Sequence, residues 1–164
     1  MQDVLQQAGV IPYSVVDDDI FVLLVTSRDT GRWLIPKGYV EEGYTPAAAA
    51  AKEAYEEAGI KGVMDSDVPL GFFTYFKRLK CGTDTPASVE VFLLRVEKQC
   101  KKWPEKKERR LAWFTPDEAA LLVKEPGLAQ LLLRLKEITR SERSNAKRDR
   151  SHISGIRGAF ATAR

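Results

Sequence analysis

Two runs rich in β-branched residues, 8–16 and 20–26, are separated by Asp17, Asp18 and Asp19, and together they predict a β-hairpin. A short apolar run, Trp33-Leu34-Ile35, leads through Pro36 into a loop at Gly38. Residues 46–58 read as a helix with both ends marked. Thr45 suits the N-cap, Pro46 the first helical position, alanine fills the interior, and Gly59 supplies a left-handed stop. Runs 68–77 and 89–96 predict two further strands, joined by a polar connection that contains Gly82, Thr85 and Pro86. Residues 111–114 predict a short strand, Thr115 caps a helix over 116–124, and a last helix over 128–140 carries Leu131, Leu132 and Leu135 as its core stripe. No internal repeat is visible. Strands on both sides of a helix, followed by two terminal helices, predict the α/β (α+β) class, with a central mixed β-sheet between helices.

The helix over 46–58 carries an anomaly. Stepping about 100° per residue from Glu53 puts Glu56 at about 300° and Glu57 at about 40°, while Ala47, Ala51, Ala54, Tyr55 and Ala58 fall between about 100° and 200°. One face is expected to be buried and the other to hold negative charge. Glu53 and Glu57 form a like-charge i,i+4 pair, destabilising by roughly 0.2–0.5 kcal/mol. They also lie toward the helix end where the dipole disfavours anions. A local rule broken this openly points to function. A divalent cation would turn the repulsion into ligation, and clustered carboxylate oxygens suit Mg²⁺ or Mn²⁺. On spacing alone, a solvated acidic face is the competing reading.

The segment from Gly38 to Ile60 resembles the Nudix box, G-x5-E-x7-R-E-U-x-E-E-x-G-U, with U a bulky apolar residue. Gly38, Glu53, Glu56, Glu57, Gly59 and Ile60 match in register, and Ala54 is a small version of the first U. Tyr44 stands where the box has its first Glu, and Lys52 where it has Arg. The resemblance implies a MutT-like Nudix hydrolase with the Nudix-type α/β/α sandwich. Such enzymes cleave a nucleoside diphosphate, or similar pyrophosphate, linked to another group X by metal-assisted attack of water on phosphorus. It implies Glu53 and Glu57 as Mg²⁺ ligands and Glu56 as a further ligand or the general base, with Glu53 the other candidate for the catalytic carboxylate. The backbone carbonyl of Lys37, beside Gly38, would complete the site, and the small Gly38 would let the loop approach closely. Lys52 keeps the charge of the box Arg but loses its planar fork, which implies a modest loss of activity. Tyr44 cannot act as a carboxylate ligand.

Three further features resemble the diadenosine polyphosphate and diphosphoinositol polyphosphate hydrolase branch: the approach to the box through Leu24-Val25-Thr26-Ser27-Arg28, the run from Tyr55 to Gly62, and Trp103 followed by a basic cluster and Trp113-Phe114. In that branch the Ser-Arg pair contacts substrate, so Ser27 and Arg28 are candidates, with Lys52 a third. Arg28 would hold phosphate by paired charge-assisted hydrogen bonds. The basic residues of the inositol enzymes' first strand are missing, since this chain has Gln6-Gln7-Ala8, and that favours dinucleoside polyphosphates. Lys77, Arg78 and Lys80 sit near a strand end, where they either reach phosphates or form a solvated edge, Tyr75 and Phe76 either stack a base or fill the core, and Glu105 and Glu108 lie where some members keep an extra acidic base or ligand.

Composition refines the picture. At 164 residues with 44% hydrophobic positions, one domain is expected, 1–139, followed by a basic extension, 140–164. The net charge of +3 divides into +5 in the extension and −2 in the rest. Cys81 and Cys100 have neither disulfide nor metal spacing. No apolar run reaches the length of a membrane span, and no leader is visible, so the expectation is a cytoplasmic protein with no membrane partner. The extension lacks the interleaved aromatics of a single-strand binder, and a nucleic-acid partner is not expected. The lone His152 has no partners for a ligand role. A nucleotide or other phosphoanhydride small molecule is the expected partner, and the oligomeric state is left open, a homodimer included. The competing class is a non-catalytic, Nudix-like binding or regulatory module, motivated by Tyr44 and Lys52.

Overall fold

A two-residue turn sets the first corner. Asp17 and Asp18 have φ of 50° and 66°, the left-handed pair that a tight type I′ hairpin requires and that Asp tolerates. They join β1 (Leu5–Val16) to β2 (Asp19–Thr26), with Val16 opposite Asp19. The computed structural model describes residues 3–152. After β2 come β3 (Trp33–Leu34), β4 (Lys37–Tyr39), α1 (Pro46–Ala58), β5 (Ile60–Met64), β6 (Gly71–Arg78), β7 (Asp84–Gln99), β8 (Leu111–Phe114), α2 (Pro116–Leu122) and α3 (Pro126–His152).

All eight strands form one sheet in the order β3-β2-β1-β7-β5, with β4 on β1, β6 on β7 and β8 on β2. β1 and β7 run parallel from Leu5↔Ala87 to Tyr13↔Arg95, and the other pairs are antiparallel. The sheet is therefore mixed. Alternate residues of each strand feed two cores. Ala8, Val10, Leu23 and Val25 pack with Ala50, Ala54 and Ala58 of α1. Ile11, Val22, Leu24 and Phe73 pack with Leu128, Leu132 and Leu135 of α3. Helices thus cover both faces, giving the expected α/β/α sandwich.

Several boundaries differ from the sequence expectation. β5 was not anticipated, because only Ile60 of its five residues is buried and Gly62 sits at a register shift against β7. Thr85 and Pro86 belong to β7 rather than to the connection before it. Pro86 pairs with Phe76 of β6 but precedes the first residue of β7 that meets β1, so one edge of the strand there needs no N–H. The last helix continues past Arg140 to His152.

The largest correction concerns α1. Its buried residues are Ala49, Ala50, Ala54, Glu57 and Ala58, while Ala47, Ala51 and Tyr55 are half-buried. The packed face is rotated so that it includes a carboxylate. Alanine lets the helix sit close to β1, and that closeness carries Glu57 under the β4 backbone.

Candidate active site

The helix that supplies the carboxylates begins as its sequence dictates. Thr45 accepts the Ala48 N–H in its side chain (3.2 Å), Pro46 follows, and Gly59 closes the helix at φ 65°. Glu53, Glu56 and Glu57 line a cleft of about 390 Å³ together with Ser27, Arg28, Lys37, Gly38, Glu105 and Arg109. The expected residues are thus brought together, except Lys52. Lys52 lies outside the cleft lining and pairs with Glu41 (3.0 Å) and Glu56 (3.7 Å).

Gly38 fits its place closely: a Cβ there would overlap the Glu53 carboxylate. Glu57 meets the same strand from below, its Oε2 accepting the Lys37 backbone N–H at 3.4 Å. Its other oxygen, Oε1, accepts from Arg109 Nη2 at 3.1 Å, and both side chains are almost wholly buried. Burial pushes the Glu57 carboxyl up to about 8, with Glu53 adding to the rise and Arg109 and Lys37 opposing it. Burial, then the charge of Glu56, also raises Glu53. Two carboxyls that resist ionisation when alone are groups whose charge a cation would stabilise.

Sequence reasoning gave Lys37 only a backbone role. Its side chain is half-buried, and desolvation lowers its pKa. The ammonium donates to the Tyr75 hydroxyl (3.1 Å), which donates in turn to Gln7 Oε1 (2.7 Å). Tyr75 is therefore committed to a polar chain, while Phe76 faces solvent. Arg109 was missed altogether. It reaches Glu57 across 52 residues of sequence and also bonds Glu105 (3.3 Å) and the Thr26 carbonyl (3.0 Å). No local spacing signals such a contact. Arg28 is aimed at carboxylates, 3.2 Å from Glu105 and 3.9 Å from Glu108. Ser27 is engaged in its own turn, its hydroxyl 2.6 Å from that of Thr30. Lys77 lies at the cleft over the Tyr39 ring, whereas Arg78 pairs with Asp84. Cys81 and Cys100 are free thiols, as expected.

A divalent ion is implied by this chemistry. Among the described residues no three acidic, His or Cys side chains stand close enough together to hold one as they are. The fit is one of donor type and placement: three carboxylates are hard oxygen donors around one cleft that Lys37 also lines, and the missing Cβ of Gly38 leaves Glu53 against the β4 backbone.

The sequence pattern described as the NUDIX domain matches residues 5–135. The chain belongs to the Nudix family. A Nudix chain of this kind is a hydrolase acting on phosphoanhydrides. Among its Nudix relatives, Nudix hydrolase 12, mitochondrial, of Arabidopsis thaliana is 29% identical over 152 residues, spanning 83% of this chain and 74% of the relative. Diphosphoinositol polyphosphate phosphohydrolase 2 of Rattus norvegicus is 30% identical over 135 residues, spanning 80% and 70%. A C. elegans Ap4A hydrolase binary complex superposes with a TM-score of 0.64 at 22% identity, covering 84% of this chain and 99% of that one. At that identity the likeness speaks to the Nudix fold alone. Among the described residues no helix is long and apolar enough to cross a membrane.

Proposed function

We propose that the protein is a Mg²⁺-dependent pyrophosphohydrolase that cleaves a phosphoanhydride in a nucleoside diphosphate linked to X, with dinucleoside polyphosphates as its first substrates. One observation carries this reading. Glu53 and Glu57 both meet the Lys37–Gly38 backbone inside a cleft whose remaining wall holds Arg28, Lys37, Lys77 and Arg109. Carboxylates and cations line one solvent-open cleft, the donor types that a metal and a phosphate chain would each use.

In this reading Glu53, Glu57 and the Lys37 carbonyl would hold Mg²⁺, with Mn²⁺ an alternative, and Glu56 would be either a further ligand or the base. When bound, the ion polarises phosphoryl oxygens and lowers the pKa of the attacking water. Glu56, half-exposed in the cleft lining, takes the water proton, and Glu53 is the alternative base. Arg28 and Lys77 hold phosphate oxygens at the rim, and Ser27 fixes the turn that presents Arg28. Lys52 steadies Glu56 from outside. The enzyme is placed in the cytoplasm, although its plant relatives carry mitochondrial names, and fractionation of the native protein tests this.

The rat relative's name supports a second substrate, a diphosphoinositol polyphosphate. The deciding experiment is cleavage by purified protein with Mg²⁺ or Mn²⁺ of diadenosine polyphosphates, nucleoside triphosphates and a diphosphoinositol, with Glu57→Gln as control. Turnover that vanishes in the control is the expected result. No turnover on any substrate would leave the non-catalytic binding module as the better reading.

A further inference from the structure

Residues 100–110 connect β7 to β8 without helix or strand. The two strands lie on opposite sides of β1, β7 beside it and β8 beyond β2, so this strap has to cross the sheet. It does so over the last turn of α1. The Gln99 side chain donates to the Ala58 carbonyl (2.8 Å), the Cys100 N–H to the Gly59 carbonyl (2.7 Å), and the Glu105 N–H to the Glu56 carbonyl (3.0 Å). Within the strap, between Cys100 and Glu105, lies Trp103.

A Cβ on Gly59 would overlap the Trp103 indole. Glycine at this position therefore serves twice, taking the left-handed φ that ends α1 and leaving a seat for the ring. Lys106 Nζ lies 5.0 Å from the ring centroid and donates to the Lys101 carbonyl (2.6 Å), closing the strap on itself around the indole. The indole N–H is buried without a hydrogen-bond partner, so the ring is held for its shape and not for its polar end. The strap then delivers Glu105 and Arg109 to the cleft, where one Arg109 nitrogen bonds both Glu105 and Glu57.

We propose that Trp103, seated on Gly59, is a positioning residue: it fastens the strap to the end of α1 and so keeps Glu105 on Arg109, the cation that meets Glu57. The catalytic consequence rests on the phosphoanhydrolase reading above, while the fastening itself does not. Arg109 is held at its far side by the Thr26 carbonyl (3.0 Å), but without the ring Glu105 keeps only its backbone bond to Glu56 as a tie to α1, and its side-chain contact with Arg109 would loosen. Supporting partners of this kind typically account for about 10–100-fold in activity or metal affinity.

The test uses the full chain with Trp103→Leu, Trp103→Phe, Arg109→Ala and the Trp103→Leu/Arg109→Ala double variant. Trp103→Leu keeps part of the apolar bulk, and far-UV circular dichroism with a thermal melt checks that the fold is retained. Hydrogen exchange at the Glu105 amide is expected to accelerate in Trp103→Leu and to return toward the wild-type rate in Trp103→Phe. The kcat of Trp103→Leu is expected to fall about tenfold or more with KM nearly unchanged, with Phe restoring most of it. In the Arg109→Ala background Trp103→Leu should add little, because both act through one contact. Unchanged exchange at Glu105, or losses that multiply in the double variant, would overturn the proposal. Should the wild type cleave no phosphoanhydride while exchange behaves as expected, the fastening stands and the functional reading fails.

Discussion

The Lys52 ammonium lies 5.2 Å from the centroid of the Tyr44 ring, so the two departures from the Nudix box are in contact with each other. Tyr44 gives the cation an aromatic face where the box has a carboxylate, and Glu41, three residues earlier, supplies the missing acid at 3.0 Å. Lys52 also lies 3.7 Å from Glu56, outside the cleft lining. Lys52→Met is therefore expected to lower kcat/KM by less than about tenfold, at the weak end of supporting-residue effects. Tyr44→Glu with Lys52→Arg should match or exceed the wild type. Steady-state kinetics on one phosphoanhydride checks both, and a hundredfold loss in Lys52→Met would show that Lys52 acts within the site.

Glu57→Gln separates function from fold. Both Glu57 oxygens accept hydrogen bonds, from Arg109 and from the Lys37 N–H, so the Gln amide must turn its NH2 toward one donor, and the metal-free variant should fold but melt somewhat below the wild type. Turnover should fall by about a hundredfold or more, and the rise in Tm on adding Mg²⁺ should disappear. Differential scanning fluorimetry with and without Mg²⁺, beside an activity assay, reads all three. Retained turnover within tenfold would remove Glu57 from the ligand set.

The pH dependence follows from the same carboxyl. Its folded-state pKa of about 8 exceeds the value of about 4.3 for an unfolded Glu. The folded state therefore holds the proton more tightly. The stability this contributes is full below about pH 4.3 and is lost as pH rises through about 8. Metal binding needs the carboxylate and releases its proton, so the Tm gain from Mg²⁺ should be larger at pH 8.5 than at pH 6. An equal gain at both pH values would count against Glu57 as a ligand.

Gly38→Ala places a methyl where the Glu53 carboxylate now sits. The flexible carboxylate has to move, so the metal-free protein should lose little stability while Mg²⁺ binding weakens. Isothermal titration with Mg²⁺ or Mn²⁺ checks this. Undiminished affinity would show that Glu53 does not need its present place against β4.

Every buried leucine of α3 lies before Arg140: Leu128, Leu131, Leu132 and Leu135. Ending the chain at residue 140 is expected to leave turnover and Tm close to the full-length values. RNA binding that disappears with residues 141–164 and weakens steeply with salt would instead give the extension a partner of its own.

The parts of the fold legible in the sequence are those with chemical punctuation. Thr45-Pro46 and Gly59 bracket α1 to the residue, and Thr115-Pro116 starts α2 where expected. β5 has no such marks, and Pro86 carries a misleading one, because its tolerance depends on which neighbours β7 has at that point. The acidic half of the site was readable because one helix repeats it at fixed spacing. The basic half was not. Arg109 and the Lys37 ammonium reach the cleft through pairings of distant segments, and a single lysine or arginine in a basic run has no periodicity to distinguish it.

The parallel pairing of β1 with β7 joins residues 5–13 to residues 87–95, with α1 between them in the chain. During synthesis the Glu-bearing helix is made well before the strand that completes the centre of the sheet, and Arg109 later still. A chain released as far as residue 95 can pair β1 with β7 yet lacks β8 and the cation that meets Glu57. Contacts of such long sequence separation slow folding, so refolding should show secondary structure recovering ahead of the cleft. The acidic half waits for its counter-charge until the segment leading into the last strand, β8, arrives.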